Sequence, residues 1–257
     1  MLIMKKIKLT TLFVLRTLKA FAANPWGMPG FFHHWSQYNK KAGEGWRAQG
    51  RDIHPVLNET DAQAGRARGH YFLQDLWAAQ QVFNARPLSH VDVGSRVDGF
   101  VAQVACFMRL EYVDLRPLDV GITNIQSREG SILALPYTDS SLVSISCLHV
   151  LEHIGLSRYG DELDPLGWQK GLKELVRVLK PGGMLLLSVP VGKQRVCFNA
   201  HRVFDPQTII DNLSRVKLKE YHLIPNDMAK SWEDDPGYAK SRESDYGCGL
   251  FKFEKTM

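Results

Sequence analysis

The sequence predicts an α/β fold: a doubly wound, mostly parallel sheet of seven strands with an N-terminal helical extension. Three observations predict it. Beyond Pro87, short apolar runs alternate with amphipathic segments of helical length, as in a parallel sheet with helices on its faces. The 257 residues, 44% hydrophobic and 23% charged, can bury a substantial core, and 21 Gly and 12 Pro fall without period, which excludes disordered and collagen-like chains. Cys106, Cys147, Cys197 and Cys248 are too few and too scattered for a disulfide scaffold or a zinc ribbon, and suit a reducing compartment.

In chain order, residues 1–41 form a basic, aromatic-rich arm. The net charge of +5 comes from 32 Lys and Arg against 27 Asp and Glu. Lys5, Lys6, Lys8, Arg16, Lys19, Lys40 and Lys41 place +7 on the arm with no acid, so the other 25 bases and all 27 acids leave −2 on the body. A basic arm on a slightly acidic body offers no broad surface for nucleic acid. Residues 4–23 have the outline of a secretory signal, ending in Ala20-Phe21-Ala22, but Arg16 and Lys19 interrupt an apolar stretch that runs only from Leu9 to Leu15. It is far too short to span a membrane. Ile7, Leu12, Leu15, Leu18 and Phe21 approximate helical spacing, so a basic amphipathic helix is expected. The aromatics that follow, Trp26, Phe31, Phe32, Trp35 and Tyr38, suit docking on the chain's own domain or contact with a membrane interface.

Residues 42–86 read as a polar, Gly-studded linker closed by a packing helix, with Phe72, Leu76, Ala79 and Phe83 on one stripe. Residues 87–257 make the α/β domain. Strands are predicted at Ser89–Val93, Leu110–Asp114, Gly130–Leu133, Leu142–Cys147, Met184–Val189, Val216–Ile224 and Leu250–Glu254. The helix before the fifth carries Trp168, Leu172, Leu175, Val176 and Leu179 on one face, and Lys180-Pro181-Gly182-Gly183 stops it.

The first strand leads into HVDVGSRVDG, where a Gly lets the backbone turn sharply beside a ligand. Gly94 and Gly99 have the spacing of a P-loop, but Phe100 and Val101 stand where Lys and Ser/Thr are needed. A dinucleotide fingerprint fails too, because Arg96 occupies the place of its second Gly. Asp114 nevertheless lies 20 residues beyond Gly94, at a strand end where a carboxylate grips ribose hydroxyls. A ribose clamp without a pyrophosphate site suits S-adenosylmethionine.

Further along, CLHVLEHIG follows the fourth strand and LKELVRVLKPGGMLLLSVP leads through the fifth. With HVDVGSR and the acidic end of the second strand, this run resembles the class I S-adenosylmethionine-dependent methyltransferases, which are Rossmann-like. More narrowly, HYFLQDLWAA, LHVLEHIGLSRYGDELDP, SVPVGKQRVCFNAHRVF and GCGLFKF resemble a bacterial methyltransferase-like family of unknown function, often met near surface-polysaccharide genes. The resemblance covers residues 68–254. It implies cofactor contacts from Asp92, Gly94 and Ser95 at the methionine end and from Asp114 and Leu115 at the ribose and adenine, with Ser131 at the adenine amino group and Cys147 near the cofactor. Ser131 departs from the acid common there, as Arg96 departs from glycine.

Ligands of open α/β sheets sit outside the carboxyl ends of the strands, so His149, Glu152 and His153 fall beside the reacting methyl group. If the acceptor is a hydroxyl, a base must take its proton, and His149 or His153 is the natural candidate. The same residues spell H-x-x-E-H, the order of inverted zinc proteases. That motif needs a true helix and a carboxylate from a second one, so no metal is expected. Tyr159 and Asp164 in the acid-rich loop, and His201 and Arg202 after the fifth strand, are expected to touch substrate. The resulting expectation is a cytoplasmic enzyme, peripheral to the inner membrane through residues 1–41. It would methylate oxygen on a small or glycan-linked acceptor in surface-polysaccharide biosynthesis. The alternative is a catalytically silent cofactor-binding or scaffolding module of the same fold.

Overall fold

The computed structural model describes residues 14–49, 52–59, 64–119 and 121–257. Two compact units divide the chain at Arg66/Ala67. The packing helix expected to close the linker therefore falls in the larger unit.

In the smaller unit, residues 14–23 are helical and α1 spans Gly27–Lys41. Asn24 accepts a hydrogen bond from the Gly27 N–H at 3.0 Å, which satisfies a donor at the start of α1. Lys40 and Lys41 lie in its last turn, where cations complement the helix dipole. The Trp35 indole and the Asn39 amide both donate to the Ala48 carbonyl, and Ala48 N–H donates back to Asn39, so the chain after α1 folds onto it. Leu15, Leu18, Phe21 and Trp26 stay exposed. The first half of the expected amphipathic helix, with Ile7, Leu12 and the three leading lysines, lies outside the described residues. Among the described residues no helix is long and apolar enough to cross a membrane.

The larger unit is built on one sheet in the order β3-β2-β1-β4-β5-β10-β8-β9. These strands are β1 His90–Val93, β2 Leu110–Asp114, β3 Ile125–Glu129, β4 Leu142–Leu148, β5 Leu179–Val191, β8 Val216–Ile224, β9 Glu233–Asp234 and β10 Gly247–Lys255. β3, β2, β1, β4 and β5 run parallel, β10 runs antiparallel to both β5 and β8, and β9 is a two-residue edge. A separate ribbon pairs β6 Arg195–Cys197 with β7 His201–Val203. Neither β9 nor the ribbon is long enough to show a period in sequence.

Helices cover both faces. On one, α4 (Gly167–Val178) packs Trp168, Leu172 and Leu175 against Val93, Ile145 and Leu187. Complete burial of a Leu of this kind is worth about 2 kcal/mol. On the other face, α2 (His70–Ala85) packs Leu73, Trp77 and Val82 against Phe100, Leu110, Leu148 and Leu250. Leu179, expected on the α4 face, instead opens β5, because the chain leaves helical geometry at that residue. The third strand also differs from expectation: it is Ile125–Glu129, not Gly130–Leu133. As the sheet's edge it buries only Ile125, so its polar text carries no strand signal.

Candidate functional site

A cavity of about 280 Å³ opens at the carboxyl ends of β1, β2 and β4, where the strand order reverses and α/β sheets bind ligands. Its walls include Gly94, Asp114, Leu115, Ser131, His149 and His153. Gly94 has φ +71, and a Cβ there would meet the Val150 methyls at 3.2 Å, so glycine keeps this wall open. Asp114 receives one hydrogen bond on each carboxylate oxygen, from the Tyr112 hydroxyl at 3.2 Å and from Arg116 N–H at 2.9 Å. Both oxygens keep lone pairs for a ligand. The Ser131 hydroxyl accepts from Leu133 N–H at 3.1 Å, and its own proton is available. Arg96, whose length argued against close approach of a cofactor, pairs with Asp98 and lies over the Tyr71 ring.

Three expected cofactor contacts do not reach the cavity. Asp92 is fully buried and accepts from Ser95 N–H, from the Ser95 hydroxyl and from the Ser146 hydroxyl at 3.0, 2.7 and 2.5 Å. Burial pushes its pKa up to about 6 against these hydrogen bonds. Ser95 in turn accepts from Leu148 N–H, so the pair clamps the end of β1 to the end of β4. Cys147 packs in the core, its thiol pushed well up by burial. The same residues show why β1 carries His90. Ser146 gives its proton to Asp92 and therefore accepts from His90 Nε2 at 3.0 Å, leaving Nδ1 to accept from Ser144 at 2.8 Å.

The loop after β4 carries the titratable groups. His149 has φ +53, a conformation that strains a residue with a Cβ and recurs at functional sites. Its Nδ1 bonds Glu152 Oε1 at 2.7 Å in a buried pair. Burial opposes charge on His149, and the neighbouring Cys248 and Glu152 raise its pKa against that burial. Glu152 is likewise held ionised against its burial by His149. His149 is thus tied through Nδ1 into a buried pair with Glu152, while its ring lines the cavity. His153 differs. Its Nδ1 lies 2.7 Å from the Ala200 carbonyl, which only accepts, so Nδ1 carries the hydrogen and Nε2 the lone pair. Burial lowers its pKa, with Glu152 3.7 Å from Nε2 opposing, so the ring is neutral near pH 7.

Of the expected substrate contacts, only Tyr159 lines the cavity. Asp164 pairs with Lys170 at 2.7 Å and accepts from Leu166 N–H at the entry to α4. His201 lies against the Tyr246 ring. Arg202 is buried, and its guanidinium donates to the carbonyls of Ile154, Glu152 and Pro165. With three carbonyls as partners it fixes the loop and holds no anion.

Sequence reasoning missed what α2 supplies to the site. Gln74 Oε1 accepts from Ser188 at 2.5 Å, and the Ser188 hydroxyl accepts from His149 N–H at 3.1 Å. Asp75, its pKa pushed up to about 6 by burial, sits against Gly99 in the turn after β1. His70 stacks on His149 with ring centroids 6.2 Å apart. A strip of polar residues on an otherwise apolar helix face was the available signal.

Residues 135–210 match a family model described as "Caenorhabditis protein of unknown function, DUF268". No curated protein matches the chain. Among solved structures, it is similar to the [4+2]-cyclase SpnF, at 13% identity over 74% of this chain and 88% of that one, with a TM-score of 0.51. It is also similar to the N-methyltransferase NodS from Bradyrhizobium japonicum WM9 in complex with S-adenosyl-L-homocysteine, at 16% identity over 72% and 88%, TM-score 0.50. A geranyl diphosphate methyltransferase in complex with SAM matches at 12% identity over 70% and 85%, TM-score 0.50. The larger unit thus has the Rossmann-like α/β fold that these two methyltransferases and the cyclase share.

Proposed function

We propose that the larger unit is an S-adenosylmethionine-dependent methyltransferase acting on oxygen of a small or glycan-linked acceptor in surface-polysaccharide biosynthesis. The observation that carries this reading is the cavity itself, which joins the open Gly94 turn, the Asp114 carboxylate and the His153 lone pair. The residues fit the cofactor. Asp114 has lone pairs for two ribose hydroxyls, Leu115, Ile132 and Leu133 offer apolar walls to the adenine, and Ser131 can donate to a ring nitrogen. When bound, S-adenosylmethionine supplies an electrophilic methyl group on a sulfonium.

His153 Nε2 takes the proton from the acceptor hydroxyl, and Glu152 beside it stabilises the imidazolium that forms. Glu152 is held toward its ionised form for that role by its hydrogen bond with His149 Nδ1. Asp92, Ser95 and Arg202 hold the two loops from behind. Positioning of the acceptor supplies much of the remaining acceleration. In the smaller unit, exposed Leu15, Leu18, Phe21 and Trp26 beside Arg16 and Lys19 support peripheral contact with an anionic membrane where lipid-linked glycans are made.

Calorimetry with S-adenosylmethionine and S-adenosylhomocysteine tests the reading. Binding is expected in the micromolar range and should weaken about tenfold or more in Asp114→Ala. Labelled methyl transfer to cell-envelope precursors should follow, and His153→Ala should lose it while keeping cofactor binding. Absence of binding at high micromolar cofactor overturns the proposal. Binding without transfer in the parent protein returns it to a silent module.

A further inference from the structure

We propose that the methyl acceptor carries an anionic group, a phosphate or a carboxylate, held by Arg116 and Arg158 at the Tyr159 ring; this rests on the methyltransferase reading. Arg116 comes from the loop after β2 and Arg158 from the loop after β4, yet both guanidinium groups lie over one ring, at 5.8 and 5.0 Å from its centroid. Tyr159 and Arg116 are in the cavity wall. Neither arginine has a carboxylate partner within ion-pair distance among the described residues. Several arginines of the unit are paired or bonded instead, Arg96 to Asp98, Arg177 to Asp139 and Glu174, Arg242 to Asp205, and Arg202 to backbone carbonyls; what distinguishes Arg116 and Arg158 is that they converge on one ring beside the cavity.

The acid best placed to neutralise the two is Asp161, in the same wall, and it is already engaged. Its oxygens accept from Gly155 N–H at 2.6 Å and from Tyr159 N–H at 3.2 Å, which fixes the backbone that carries the ring. Arg158 gives one N–H to the Ala200 carbonyl at 2.7 Å and keeps the rest of its fork. Arg116 makes no side-chain hydrogen bond among the described residues, only the ring contact. Two like charges brought to one ring with no direct ion pair repel, and an incoming oxyanion relieves that repulsion while gaining charge-assisted hydrogen bonds. The sulfonium of the cofactor adds a third positive charge to the cavity, which an anionic acceptor also balances.

The location is as informative as the charge. Arg158 Nη1 is 3.3 Å from His153 Nδ1 and 2.7 Å from the Ala200 carbonyl, so a group held by the rest of its fork lies beside the His153 imidazole, on its Nδ1 side. An acceptor whose anion rests on Arg158 then brings a hydroxyl on a neighbouring carbon toward the His153 side of the cavity. Phosphorylated and carboxylated sugars have that pattern.

Glucose 1-phosphate, glucuronate and glucose, titrated into the full chain saturated with S-adenosylhomocysteine, test the proposal. At least one of the two anions is expected to bind about tenfold or more tightly than glucose, with affinity falling as salt rises. Which anion does so identifies the group. Arg158→Met should abolish that preference, Arg158→Lys should keep part of it, and S-adenosylhomocysteine affinity should be unchanged in both. No preference for either anion in a protein that binds S-adenosylhomocysteine overturns the anionic acceptor and leaves the methyltransferase reading standing. A preference unaltered in Arg158→Met overturns the residue assignment. Failure to bind S-adenosylhomocysteine removes the methyltransferase reading, and this proposal with it.

Discussion

Replacing His90 with Gln should change how the protein's stability responds to acid, by an amount the structure fixes. His90 is buried between Ser144 and Ser146, at 2.8 and 3.0 Å, and burial pushes its pKa from 6.5 down to about 3. The folded state refuses a proton that the unfolded state takes below pH 6.5. Stability contributed by the neutral ring is therefore complete above pH 6.5 and drains as pH falls toward 3, by about 1.4 kcal/mol per pH unit. Between pH 6.5 and 5 the loss is about 2 kcal/mol. The wild-type profile alone hides it. His70, lowered to about 4 by burial, drains stability in the same direction, whereas Asp75 and Asp92, raised to about 6, take protons in the folded state first and add stability as pH falls from 6 toward 4. Two groups of each sign nearly cancel over that window. The difference between wild type and His90→Gln isolates the one site, since the amide keeps a donor toward Ser146 and does not titrate. Urea unfolding of both proteins at pH 6.5 and pH 5 should show the gap moving by about 2 kcal/mol in favour of the variant. A gap that is constant with pH would show that His90 is not held neutral by its burial.

Three other changes follow from contacts already described. Gly99→Ala should destabilise the protein by about 1–3 kcal/mol in thermal or urea unfolding, because the new Cβ would overlap the Asp75 carboxylate, and unchanged stability would displace Asp75 from that position. Arg202→Met strands three carbonyl acceptors and should cost about 1–3 kcal/mol on the same assay, whereas a functional anion clamp would leave stability nearly intact. Glu152→Gln should lower the pKa of His149, since it removes a carboxylate 2.7 Å from Nδ1 while burial still disfavours charge, and imidazole resonances followed against pH should show the midpoint moving down. An unchanged midpoint would show that Glu152 does not control the His149 proton.

The parts of the site written in short-range text were legible in sequence. Gly94 and Asp114 announce themselves by position, one past a strand and the other at a strand end, and the cavity lies between them. The apolar runs of β4, β5 and β10 and the stripe of α4 likewise sit where periodicity placed them. β3 was illegible because a sheet edge needs only Ile125 buried. The roles of the charged residues were illegible for another reason. Whether a guanidinium or carboxylate faces a ligand depends on which backbone groups lie beside it, and those come from distant segments: Ala200 for His153 and Arg158, and Ile154 and Pro165 for Arg202.

That dependence bears on how charge specifies this site. The loop after β4 is rich in ions, yet Asp161, Asp164 and Arg202 all close hydrogen bonds to main-chain groups in or beside it, and Glu152 closes one to His149. A loop of this shape has few internal backbone bonds of its own, so side-chain charges perform the task that a ladder performs in a strand. Once they are subtracted, the groups with unused capacity in or beside the cavity are His153, the Asp114 lone pairs, Arg116 in the wall and Arg158 at the Tyr159 ring. The body's charge of −2 is then no guide to its site. Asp161 and Asp164 hold the loop, and the positive charge of Arg116 and Arg158 gathers at the Tyr159 ring, apart from the Asp114 carboxylate, with the sign an anionic acceptor requires.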